Sequence, residues 1–106
     1  MYEEINKTMK KFNANVYLIN QYCLELRTPY ESQIWLRAKY YYTKRCEIEN
    51  LVIDRKYRKN GYGRELVNLV ENFSRIMGIN KIIISANTNR KFWEHMGYFN
   101  DEKILK

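Results

Sequence analysis

In 106 residues the chain has one proline, one histidine, two cysteines and four glycines, and each scarcity removes a class of explanation. Cys23 and Cys46 stand apart, so they offer neither a disulfide framework nor metal-ligand spacing. Both are expected to be buried and reduced, and no metal site is expected. No apolar run approaches the roughly 20 residues of a membrane-spanning helix. The opening MYEEINKTMKKF also lacks the apolar centre of a secretory signal, so a cytoplasmic protein with no membrane partner is expected. There is no internal repeat, low-complexity tract or linker, and the expected organisation is one compact domain over residues 1–106.

What is abundant is positive charge. Nineteen Lys and Arg against twelve Asp and Glu give a net charge of +7, which speaks of partners rather than of fold. An anionic ligand fits: a phosphate-bearing cofactor, a nucleic acid or an acidic protein surface. Most of these cations serve as a solvated surface, but Arg55, Lys56, Arg58, Lys59 and Arg64 cluster within RKYRKNGYGREL, around Gly61 and Gly63.

The hydrophobic pattern places that cluster. Tyr2, Ile5, Met9 and Phe12 recur at helical spacing, predicting a short helix over residues 2–12. From Val16 to Leu26 the period is two, predicting one strand, and a second alternation follows TPYESQ from Ile34 to Tyr41, so a hairpin is expected. CEIENLVID ends in a more continuous apolar run, as in a strand covered on both faces. After the glycines, Leu66, Leu69, Val70, Phe73 and Met77 mark one side of a helix of about 15 residues, with Gly78 placed to stop it. KIIISAN then reads as a buried parallel strand, NRKFWEHM as a short helix and YFNDEKILK as an extended end. Residues 51 to 86 thus form a strand, loop, helix and strand, whose two strands should run parallel.

A glycine-bearing turn from strand to helix aims backbone N–H groups at one point, where the helix dipole adds positive character; a diphosphate suits it. Two established phosphate loops do not fit. The triphosphate loop requires a second glycine followed by Lys and Ser or Thr, and the dinucleotide fingerprint requires a third glycine where this chain has Leu66. R-x-x-G-x-G does fit, as Arg58, Gly61 and Gly63. Together with FWEHMGY at residues 92–98, it resembles the GNAT superfamily of acetyl-CoA-dependent N-acyltransferases over about half the chain, from Cys46 to Tyr98.

The resemblance implies a mixed α+β fold: a mostly antiparallel sheet in which one parallel strand–helix–strand pair forms the coenzyme A cleft. It implies that backbone amides across Arg58, Lys59, Asn60, Gly61, Tyr62, Gly63 and Arg64 surround the pyrophosphate of acetyl-CoA, with the basic side chains pairing to its oxygens. The strand end at Leu51, Val52 and Ile53 is expected along the thioester and pantetheine arm, and Asn87 and Asn89 are candidates for a side-chain amide on that arm. The implied activity is N-acetylation of a primary amine, expected on a protein. A small amine, an RNA-borne amine and a coenzyme A-binding module without turnover remain alternatives, and nucleic acid is the less favoured partner.

An amine with a pKa of about 10.4 costs about 4 to 5 kcal/mol to deprotonate at pH 7, so a base is sought. Glu47 and Glu49, two residues apart on the strand before the loop, are the candidates. Either could instead be a sheet-surface charge paired with Arg37 or Lys39 across the hairpin. Trp93 stands where many relatives carry a tyrosine that protonates the departing thiolate. An indole N–H is a donor but no usable acid, so the thiolate is expected to leave by way of water. Otherwise another tyrosine among Tyr40, Tyr41, Tyr42 and Tyr98 would have to serve. His95 reads as a surface residue.

Overall fold

The computed structural model describes residues 1–85 and 89–106. A six-stranded sheet runs in chain order: β1 (Asn15–Asn20), β2 (Cys23–Arg27), β3 (Ile34–Tyr41), β4 (Arg45–Ile53), β5 (Lys81–Ile84) and β6 (Glu102–Ile104). Every neighbouring pair is antiparallel except β4 and β5, which are parallel and joined through α2 (Tyr62–Ile76). Helix α1 (Tyr2–Lys11) precedes the sheet, and α3 (Arg90–His95) lies between β5 and β6.

Helix α2 presents Leu66, Val67, Leu69 and Val70 to Leu36, Ala38 and Tyr40 of β3, Cys46 and Ile48 of β4, and Ile82 and Ile84 of β5, all within one core. Removing side chains of this size from water is the main stabilising term, about 1.5 to 3 kcal/mol for each large aliphatic residue. The buried Tyr40 hydroxyl donates to the Val70 carbonyl at 2.8 Å and ties sheet to helix. Helix α1 contributes Ile5 and its C-cap residue Phe12 to the core, while Tyr2, expected on the same apolar face, is 68% exposed. Met77 closes α2 in right-handed geometry, and Gly78 follows at φ +72°, where a left-handed residue costs glycine nothing. Both cysteines are free and buried.

The strand expected from Val16 to Leu26 is two strands. The chain turns at Gln21 and Tyr22, where the Asn20 side chain accepts from the Tyr22 N–H at 2.8 Å. Val16 lies opposite Leu26 and Leu18 opposite Leu24, but Asn20 opposite Cys23, so Ile19 is an extra residue. That bulge explains why the turn left no trace in the pattern. A two-residue turn alone would exchange odd and even positions between the faces; one inserted residue restores them, and the alternation runs through unbroken.

A second bulge lies in β4. Ala38 faces Ile48 while Arg37 faces Asn50, so Glu49 is inserted. Before it, Cys46 and Ile48 point into the core; after it, Leu51 and Ile53 do, with Val52 exposed. Without the insertion Leu51 and Ile53 would share a face with Glu47.

Candidate active site

The turn after β4 is built by local hydrogen bonds. Asp54 accepts from the Lys56 N–H, and a single 3-10 turn follows at Arg55–Tyr57. The Asn60 amide donates to the carbonyls of Tyr57 at 2.9 Å and Arg58 at 3.4 Å. Lys59 at φ +68° and Gly61 at φ +76° are left-handed, which swings the chain into α2, and the Gly61 carbonyl accepts the first helical bond from the Glu65 N–H at 3.0 Å. Among the described residues, no protein group accepts from the N–H groups of Lys59 through Arg64. N–H groups without acceptors, at the positive end of a 15-residue helix, favour an anion.

The two glycines serve different ends. A Cβ on Gly61 would meet nothing within 4 Å, so its demand is the positive φ; a Cβ on Gly63 would lie 3.3 Å from the Phe92 ring. The second glycine therefore lets α3 sit against the head of α2. Helix α1 supports that head from the other side: Lys11 pairs with Glu65 at 2.8 Å, and the Phe12 and Tyr62 rings meet edge to face at 5.3 Å.

Between β4, this loop and α3 lies a cleft of about 620 Å³. Of the residues singled out from the sequence, Leu51, Val52, Ile53, Arg58, Lys59, Gly61, Tyr62, Gly63, Arg64, Asn89 and Trp93 line it; Asn60 does not, and instead braces the loop. Asn87 lies outside the described residues. Tyr57 and Phe92 also line the cleft, although the sequence reading passed over both. Phe92 stood inside the FWEHMGY motif, where its role as a wall depends on the contact with Gly63. No carboxylate lines the cleft among the described residues, whereas Arg58, Lys59 and Arg64 do. Arg58 has a second task, donating from Nε to the Ile53 carbonyl at 3.0 Å. Asn89 caps α3 by accepting from the Phe92 N–H at 3.2 Å, which uses its side-chain oxygen.

β5 pairs with β4 only at Cys46, Glu47 and Ile48. From the Glu49 bulge onward β4 has no β5 partner among the described residues. Glu47 and Glu49 stand on the sheet face away from the core and do not line the cleft. Their surroundings differ. Glu49 is paired with Arg37 and Lys39, each at 3.4 Å, in a network that continues from Arg37 to Glu25 at 3.9 Å. Glu47 accepts from the Ser85 hydroxyl at 2.9 Å.

Trp93 is 4% exposed and meets Phe92 and Tyr98 edge-on at 5.1 and 5.2 Å. The tyrosines that could replace it as an acid are placed elsewhere. Tyr98 donates its hydroxyl to Glu71 at 2.9 Å, and burial, then the Glu71 charge, holds its phenol well above the ordinary range. Tyr40 is spent on Val70, and burial likewise pushes its phenol up. Tyr41 and Tyr42 do not line the cleft; Tyr57 and Tyr62 do. No group of three or more His, Cys, Asp or Glu that could hold a metal occurs among the described residues, and no helix there is long and apolar enough to cross a membrane.

The fold has known counterparts. A protein assigned as a streptothricin acetyltransferase from Bacillus anthracis str. Ames, solved with acetyl coenzyme A, superposes with a TM-score of 0.56 at 22% identity, covering 76% of this chain and 49% of its own. The chain thus spans about half the length of that neighbour. No curated protein sequence matches it. Residues 23–98, which run from β2 through the cleft to the end of FWEHMGY, match the acetyltransferase (GNAT) family, and the chain belongs to that family.

Proposed function

We propose that the chain is an acetyl-CoA-dependent N-acetyltransferase that acylates a primary amine. The observation that carries this reading is the basic cleft at the head of α2, which among the described residues has no carboxylate in its lining and no acceptor for the N–H groups from Lys59 to Arg64, directly after β4. The donor set fits coenzyme A: amides and cations for the pyrophosphate at one end, and an apolar wall of Leu51, Val52, Phe92 and Trp93 for the pantetheine arm at the other. Bound there, acetyl-CoA supplies an activated acetyl thioester.

The residues of the chain then have separable tasks. Backbone N–H groups and Arg58, Lys59 and Arg64 hold and orient the cofactor, which supplies much of the rate by positioning alone. Glu47 takes the proton of the amine, whose neutral form costs about 4 to 5 kcal/mol at pH 7. Glu49 is the poorer choice because accepting a proton would give up its ion pairs with Arg37 and Lys39. Acetyl-CoA held by these residues would supply the acetyl carbon for the new N–C bond and, as its C–S bond is given up, the coenzyme A thiolate as leaving group. With a thiol pKa of about 8.5 it needs no strong acid, and Trp93 gives the arm a packing surface rather than a proton.

For the acceptor, a lysine-like amine on a protein is the first reading: a small polycation would be expected to recruit several free carboxylates, and those beside Glu47, namely Glu49 and Glu25, are already paired with Arg27, Arg37 and Lys39. A small amine is the second reading, motivated by the name of the structural neighbour. Incubating host lysate with isotopically labelled acetyl-CoA and following the label by mass spectrometry, beside streptothricin and polyamines as separate acceptors, decides between them. Label on neither protein nor small amine, with acetyl-CoA still bound, would leave a coenzyme A-binding module instead.

A further inference from the structure

The Glu47 carboxylate is not free to turn. β5 ends at Ile84, and the next residue, Ser85, sends its backbone N–H to the Ile48 carbonyl at 3.0 Å, continuing the parallel register by one bond beyond the strand. That bond fixes the Ser85 Cα beside β4. The hydroxyl then lies 2.9 Å from Glu47 Oε2 and 3.4 Å from the Ile48 carbonyl. A hydroxyl has one proton, and the shorter contact to a charged oxygen is the stronger. Around the same carboxylate stand Lys39, directly across on β3, and Ile83, directly across on β5. Tyr41 is close enough that the Glu47 charge, after burial, helps push its phenol up. Lys39 turns its ammonium to Glu49 instead. Among the described residues Ser85 is therefore the one side chain that donates to Glu47, and it engages a single oxygen.

We propose that Ser85 is a positioning residue for Glu47: by holding Oε2 it presents Oε1, which accepts from no protein donor among the described residues, to the amine whose proton Glu47 takes. The inference rests on the reading of Glu47 as the base. It also gives the parallel pairing of β4 and β5 a catalytic consequence, since the last bond of that pairing sets where the hydroxyl stands.

The test is a double-mutant cycle, following thiol release from acetyl-CoA with poly-L-lysine as acceptor. Ser85→Ala is expected to lower kcat about tenfold at pH 7 with KM for acetyl-CoA unchanged, and Ser85→Thr, which keeps the hydroxyl, to restore at least half of the rate. On a Glu47→Gln background Ser85→Ala should cost less than twofold further. Ser85→Ala at full rate beside a slow Glu47→Gln overturns the proposal and spares the base. An equal tenfold loss on the Gln background overturns it too, because Ser85 would then act through strand geometry. Glu47→Gln at full rate removes the base reading and this proposal with it. Should poly-L-lysine not be acetylated, the side-chain carboxyl ¹³C resonance of Glu47 decides: it should move on Ser85→Ala and return on Ser85→Thr, and a resonance indifferent to both refutes the contact.

Discussion

Replacing Gly61 by Asn and by Asp separates backbone geometry from charge at the head of α2. Gly61 is left-handed at φ +76°, and a Cβ there meets nothing within 4 Å, so both side chains fit and both pay the same strain. For Asn and Asp, which tolerate this conformation best, that strain is about 1 kcal/mol. In a domain of about 100 residues it lowers the thermal midpoint by roughly 4 to 8 °C without ligand. The two variants differ only in one negative charge beside the N–H groups of Lys59 to Arg64. At about 5 Å from a phosphate charge and an effective dielectric of about 20, the repulsion is about 3 kcal/mol, or about 100-fold in affinity. Acetyl-CoA at 100 times its dissociation constant stabilises the parent by about 2.7 kcal/mol. A thermal-shift titration should therefore find a substantial acetyl-CoA-dependent rise in the parent, a reduced but measurable one in Gly61→Asn, and almost none in Gly61→Asp at the same ligand concentration. Equal rises in the Asn and Asp variants would refute the placement of the diphosphate at this loop.

Three further outcomes follow from the geometry. Glu71→Ala removes a buried carboxylate that serves the Tyr98 hydroxyl at 2.9 Å and Lys103 at 3.2 Å; Lys103 keeps the Met96 carbonyl at 2.8 Å, but the buried Tyr98 hydroxyl loses its acceptor, which should cost about 1 to 3 kcal/mol by chemical denaturation, and no measurable loss would show that the hydroxyl is hydrated. Burial pushes the Cys46 thiol up to about 12, whereas in the unfolded chain it titrates near 8.5. The unfolded state thus releases its proton first, and stability should fall as pH rises from about 8.5 toward 12, with a slope of about 1.4 kcal/mol per pH unit from this group that Cys46→Ala abolishes. Trp93→Tyr should bind acetyl-CoA like the parent and turn over at least as fast, and Trp93→Ala should bind more weakly in the same titration. A parent without turnover that gains it on Trp93→Tyr would mark the natural chain as a binding module.

Most of what frames the site was legible because it is written in local chemistry. The strand before the loop, the 15-residue α2, its glycine stop and the short α3 each carry their own periodicity or punctuation, and Arg58, Gly61 and Gly63 mark the turn proposed to hold the diphosphate by residue type alone. What could not be read are contacts between distant segments. Ser85 is an ordinary serine until the parallel pairing sets it beside Glu47, 38 positions away. Phe92 is an ordinary aromatic until Gly63 admits it. The choice between Glu47 and Glu49 was open for the same reason: Arg37 and Lys39 were visible as cross-strand partners, but Lys39 stands opposite Glu47 and Arg37 opposite Asn50, and only the bulge brings both cations to Glu49.

The two bulges show how far alternation can mislead in opposite ways. At Ile19 an inserted residue cancels the parity change of a tight turn, so two strands look like one. At Glu49 an inserted residue creates a parity change within one strand, so that Glu47 can face outward while Leu51 and Ile53, an even number of positions later, pack inward. The second insertion has a chemical result. It falls after the last described pairing of β4 with β5 and just before the residues of β4 that line the cleft, Leu51 to Ile53. Glu47 stands on one side of that point, still clamped to β5 through Ser85; the strand end that lines the cleft stands on the other. A regular strand would put Glu47, Glu49, Leu51 and Ile53 on one face, leaving two carboxylates to be buried in the core or two large aliphatics to be exposed. The inserted residue lets nine residues of one strand serve the core, the candidate base and the cofactor cleft in turn.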